Sequence, residues 1–379
     1  MGVGGNCVLT DYDFIQITGD GAFTESAPAK IYVVAGTTNS ISGKETQTKA
    51  YGIYCDGFVA VESDAENPGS LSISSSNSFS ELACGLYAAT GFSLTGANLT
   101  VESSYAAKSG TDIPTSIALY SPEVTVNTGN LTVNAGSTDS KHESQSIAGV
   151  YTNNLTVGVA TEIAYNDKVS ITANARGATE ASIGVYVKNT LTAYGCTINT
   201  KGGTTRTTDT TEGVSAGLKV DGRAELLAGE ITATGSSALG NQGSSYGVYI
   251  AKFRDASDNL TFSSIVIASS ANAAGTSCIS AGIFIANETG TLNFKIGTLK
   301  GYSGQSEGGV YSNAGIFRSN ANSANAVLTF ADKILIEASA DKTGGNTTYG
   351  PAIYAPVTTQ TAQGIVITKA LFNQTNIQN

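Results

Sequence analysis

A short motif returns along this chain about every 33 residues, and it constrains the fold more than any other feature. Its centre is a small residue, then an aliphatic one, then an aromatic one. The copies are Gly52-Ile53-Tyr54, Gly85-Leu86-Tyr87, Ala118-Leu119-Tyr120, Gly149-Val150-Tyr151, Gly184-Val185-Tyr186, Gly217-Leu218-Lys219, Gly247-Val248-Tyr249, Gly282-Ile283-Phe284, Gly315-Ile316-Phe317 and Ala352-Ile353-Tyr354. A period in this range is the signature of a solenoid, in which one supersecondary unit stacks on itself and a single core grows with the number of copies. The length of 379 residues therefore does not imply several domains.

Each repeat carries three short alternating segments. The first holds the motif. The second follows a brief turn, as in Phe58–Val61, Val124–Val126, Leu155–Val157 and Leu191–Ala193. The third has the clearest period-two alternation, as in Leu71-Ser72-Ile73, Leu99-Thr100-Val101, Leu131-Thr132-Val133 and Val169-Ser170-Ile171. Such alternation reads as half-buried strand. A polar loop of about 10–16 residues then leads to the next copy. Strands this short are stable only when they pair with the coils above and below, which predicts a parallel β-helix. The residue before the aromatic is Ile, Leu or Val in every copy and is expected inside. The aromatic, and the Gly or Ala two positions before it, are then expected outside. Lys219 at the aromatic position of the sixth copy fits an outward site.

Composition excludes several partners. The net charge is −10 and the pI about 4.7, whereas nucleic acid and anionic membrane surfaces call for Lys/Arg patches. No apolar run is long enough to span a bilayer. The opening Met1-Gly2-Val3-Gly4-Gly5 lacks a charged, then apolar, leader pattern, so no signal peptide is expected in this chain. Cys7, Cys55, Cys84, Cys196 and Cys278 are odd in number and show no metal-ligand spacing. Cys55 and Cys84 stand four positions apart in register, roughly 13 Å along a strand, too far for a disulfide. Buried free thiols are the reading, with no metal and no cofactor.

The repeat and the Gly/Ser/Thr/Asn-rich composition resemble the right-handed parallel β-helix proteins of the pectate-lyase-like superfamily. The closest likeness is to the adhesin and autotransporter-passenger type of bacterial surface protein. The resemblance covers roughly residues 15–370. It implies an all-β, three-sided right-handed parallel β-helix, here of about ten to eleven coils. The right hand comes from the resemblance and the general crossover preference. One domain is expected over 1–379: a first turn or edge over 1–30, repeats over 31–370 and a tail over 371–379. The resemblance also implies an extracellular or cell-surface location.

Many β-helices of this superfamily cleave polysaccharides, which implies a search for their machinery. The Asn-Thr-Asp, Asp-Asp, Gly-His-Gly and Arg-Ile-Lys segments of polygalacturonase-like enzymes do not occur. The single histidine, His142, lies in a polar loop, and the five arginines (176, 206, 223, 254 and 318) are scattered. Asp11 with Asp13, Asp64 with Glu66, and Asp209 with Glu212 are candidate carboxylate pairs for glycosidase work. All are in turn-like or loop context, where solvated charge is the simpler reading. No catalytic residue is assigned.

The candidate binding feature is the outward ladder Tyr54, Tyr87, Tyr120, Tyr151, Tyr186, Tyr249, Phe284, Phe317 and Tyr354. It reads as a stack that covers the sheet, or as a contact surface for a glycan or another chain. Glycine in a strand often marks close approach of a ligand or a backbone. Asn-x-Ser/Thr sequons at Asn98, Asn130, Asn154, Asn259, Asn287, Asn346 and Asn373 are candidate glycan sites, although the repeat itself places Asn before Leu-Thr. Outward Ser and Thr of the third strand suggest an ice-binding array only faintly. Neither Cys7–Gly19 nor Ile365–Phe372 reads as a cap, so the chain is expected either to be a fragment of a longer rod or to stack end to end into a filament, with the aromatic ladder as a candidate lateral contact. The expectation is thus a non-enzymatic rod for adhesion or structural assembly, with a surface glycan or host ligand as the other partner class. A carbohydrate-binding module and a polysaccharide lyase, hydrolase or tailspike-like enzyme are the alternatives.

Overall fold

The computed structural model describes residues 14–19, 30–34 and, with short breaks, 49–359. Among these residues there is no helix, and every pairing between strands is parallel. The chain is a parallel β-solenoid. The ten motif copies lie side by side on its first side, from Ala50–Cys55 to Ile353–Tyr354, with the aromatic positions in register throughout. The second side begins with Phe14–Gly19 paired to Phe58–Ser63. The third side stacks eleven strands, from Lys30–Val34 to Val357–Thr359.

The coil count departs from the expected ten to eleven. About seven successive coils lie between Ala50 and Ser269, and the first three of them have a separate strand on each of three sides. Beyond them the second and third sides run together. Thr291–Ser303 and Val327–Ala340 each continue through what is a corner elsewhere, with a register irregularity between Phe294 and Ile296. In Ser144–Val157, Ala178–Ala193 and Gly213–Leu226 it is the first corner that is bridged, with an irregularity between Thr152 and Asn154. Counting motif copies cannot register a corner that straightens.

The core is one continuous apolar column. Ile53, Leu86, Leu119, Val150, Val185, Leu218, Val248, Ile283 and Ile316 enter it from the first side, as expected. The second side contributes Val59, Phe92 and Val124, and the third Ile73, Val101 and Val133. Each coil buries its inner face only against its own other sides and its two neighbours, so stability is shared along the rod.

The expected outward stripe of glycine does not exist. All eight motif glycines are buried. A Cβ on Gly85 would lie 2.6 Å from Val101 Cγ1 and 2.7 Å from the carbonyl oxygens of Glu102 and Ala118. The glycine therefore faces the third-side strand, and its lack of a side chain lets the two backbones close the coil. The physical reason is a kink: pairing runs Tyr51 with Cys84 and then Ile53 with Leu86, with no ladder pair at Gly52 or Gly85. Strict alternation resets there, so the residue three before the aromatic shares its face. Tyr51 accordingly packs 4.9 Å from Tyr54 and 5.7 Å from Tyr87, centroid to centroid.

The loops after the third side are stacked as well. Ser144, Ala178 and Thr205 pair in sequence, and Thr205, Ala238, Ala273 and Ser306 carry the ladder on. A buried serine four positions before the aromatic ties the loops to the first side. Ser245 Oγ donates to the Ser236 carbonyl at 2.8 Å and accepts from the Ala271 amide at 3.0 Å. Ser182 does the same with the Arg176 carbonyl (2.6 Å) and the Gly203 amide (2.7 Å).

Candidate functional site

The aromatic ladder is built by the register. Parallel in-register pairing puts each aromatic directly above the last, at about the 4.8 Å spacing of neighbouring strands. Tyr54 and Tyr87 stack at 5.1 Å, Tyr87 and Tyr120 at 4.6 Å, and Tyr120 and Tyr151 at 5.7 Å, with planes within 23°. Tyr186 turns edge-on to Tyr151 at 5.2 Å. A second block follows: Tyr249 on Phe284 and Phe284 on Phe317, both at 5.2 Å, then Phe317 on Tyr354 at 4.8 Å.

Lys219 joins the blocks. Its Nζ lies 4.3 Å from the Tyr186 centroid and 5.3 Å from that of Tyr249, a cation between two π faces. Asp221 holds the ammonium and accepts the Tyr186 hydroxyl. Burial lowers the Lys219 pKa, and the Asp221 hydrogen bond opposes that. Burial first, then the bond to Asp221, raises that of Tyr186. Lys219 was legible only as evidence of an outward position. Its Asp221 partner, two residues on and on the same face, was the missed signal.

The ladder is largely covered by the chain itself. Tyr151, Phe284 and Phe317 are 2%, 5% and 7% exposed, while the other aromatics are half-buried. The row three residues earlier, including Cys84, Ile117, Ala148, Ile183, Ala216 and Tyr246, packs against them. Burial pushes the Tyr87 hydroxyl up to about 12. The Tyr151 hydroxyl is buried and has no hydrogen-bond partner among the described residues. Ring faces are therefore spent on neighbouring rings, and only edges and hydroxyls remain for another molecule.

The other expected sites are dispersed. Asn98, Asn130 and Asn154 lie in strands, and their amides belong to polar ladders: Asn130 Nδ2 donates to Asn98 Oδ1 at 2.7 Å, and Asn154 Nδ2 to Glu123 Oε1 at 2.6 Å. Asn259, Asn287, Asn346 and Asn373 lie outside the described residues, as do His142, Asp11, Asp13, Asp64, Glu66 and Asp209. Cys55, Cys84, Cys196 and Cys278 are buried free thiols, and burial raises the Cys84 and Cys196 pKa values, the latter to about 12. Among the described residues no three His, Cys, Asp or Glu side chains converge. A cavity inside the rod is lined by Leu218, Leu226, Val248, Ile283 and other aliphatic side chains, without a polar group. Among the described residues no helix is long and apolar enough to cross a membrane.

The serine ladder at 116, 182, 215, 245 and 280 was missed in the sequence, although serine recurs there four residues before the aromatic position. The chain matches no protein-family model, no curated protein and no solved structure.

Proposed function

We propose that the chain is a non-enzymatic rod of an extracellular or cell-surface structure, serving adhesion or structural assembly. The observation that carries this reading is the spending of side chains along the axis. Aromatic rings and side-chain amides are satisfied by the equivalent residue one coil away. Such a surface stiffens a solenoid and repeats its own complement. The acidic, lightly charged composition suits exposure to solvent. The glycan-groove alternative draws less support, because sugar stacking needs free ring faces and the ladder leaves few. Light scattering of the purified chain over a wide concentration range tests the proposal. Ordered oligomers that grow with concentration are expected. A monomer at every concentration that also binds on a glycan array would replace it with the carbohydrate-binding reading.

A further inference from the structure

The tyrosine block has chemistry beyond packing. Tyr54, at one end of it, is half-exposed, and its hydroxyl donates to the exposed carboxylate of Asp56. Oxidation of a phenol by one electron also requires loss of its proton, and a hydrogen-bonded carboxylate is the base that takes it. The face of Tyr54 is stacked on Tyr87, which is stacked on Tyr120. Parallel rings at these distances share an electron hole, which eases removal of the electron. Three other tyrosines lack this combination. Tyr349 is more exposed, at 39%, but Lys342 Nζ lies 5.6 Å over its ring and opposes a hole. Tyr302 donates to Glu337 at 2.8 Å, but that carboxylate also binds Lys300, and no ring stacks on Tyr302 among the described residues. Tyr186 donates to Asp221, but Lys219 shares that carboxylate and sits over its ring.

We infer that Tyr54 with Asp56 is an oxidative modification site, at which a one-electron oxidant of the peroxide-activated metal class generates a phenoxyl radical that cross-links two copies of the chain. The oxidant gains the electron as the phenolic proton passes to Asp56. Two Tyr54 radicals join through the ring carbons beside their oxygens. The hydrogens on those carbons pass to the oxygens and restore both phenols as a dityrosine. Over both chains, two electrons reach the oxidant and two protons leave through the carboxylates. The coupling step rests on the self-association proposed above, in a side-by-side or head-to-head arrangement that brings two Tyr54 rings together; the oxidation step does not.

The test treats the full chain with light, tris(bipyridine)ruthenium(II) and persulfate, which together supply a one-electron oxidant. Oxidised tyrosines are mapped by peptide mass spectrometry and dityrosine is followed by fluorescence. Tyr54 is expected to react first, and Asp56→Asn to slow it about tenfold, as loss of a charged acceptor implies. Tyr54→Phe is expected to abolish the cross-link with an unchanged circular dichroism spectrum. Oxidation of Tyr349 or Tyr302 as fast as Tyr54 in the unaltered chain overturns the assignment, and needs no variant. Equal rates for Asp56→Asn and the unaltered chain do so too. Oxidised Tyr54 without dityrosine in an associated sample overturns the coupling step. The same result in a monomeric sample upholds the oxidation site and counts against the rod reading.

Discussion

At the scale of the residue, the motif glycine has the sharpest role. Its φ is ordinary; what it supplies is space, since a Cβ on Gly85 meets Val101 and two carbonyl oxygens inside contact distance. Gly85→Ala is expected to destabilise the chain by about 1–3 kcal/mol, the usual cost of overpacking. The measurement is the urea midpoint, with Gly85→Val falling further. Ala118 occupies the same register position in the next coil, so the alanine variant is expected to fold. Midpoints unchanged by both substitutions would mean that the glycine does not close the coil. The motif itself was legible because inward aliphatic and outward aromatic residues differ in kind. The direction of the glycine was not. It was deduced from unbroken alternation, and the kink at that same residue breaks the alternation. Lys219 shows the opposite limit: its outward position was legible, but its cation–π contacts depend on the exact height of Tyr186 and Tyr249, which register alone provides.

At the scale of the element, the ladder couples stability to pH. The Tyr87 hydroxyl ionises near 12 in the folded chain against 10.0 for the free side chain, because burial disfavours the phenolate. An unfolded chain then holds fewer protons than the folded one above pH 10, so stability falls as pH rises. This contribution is complete below pH 10 and is lost between about 10 and 12. Tyr51 and Tyr186 are shifted in the same direction. Denaturant unfolding from pH 8 to 12, alongside the phenolate absorbance, is expected to show a plateau and then a decline. Tyr87→Phe is expected to lessen the decline; an identical slope would remove the ladder as its source. The strands of this element were legible from period-two patterns. The loop ladder through Thr205, Ala238 and Ala273 was not, since one to three paired residues per loop leave no period in the sequence. The merged corners were equally hidden, because Thr291–Ser303 differs from earlier repeats in the path of its backbone and not in the alternation of its residues.

At the scale of the whole molecule, the chain is one apolar column wrapped by ladders, and the rod follows from stacking alone. Eleven strands on the third side, at roughly 4.8 Å apart, make a body about 50 Å long. Among the described residues, each coil offers its neighbours the same parallel ladder. The central claim is that such a rod associates with further copies. Cryo-electron microscopy of the purified chain across a concentration series tests it most directly. The account predicts rods longer than one chain, with an axial repeat near 4.8 Å that runs through the junctions. Particles no longer than a single chain at every concentration would contradict it.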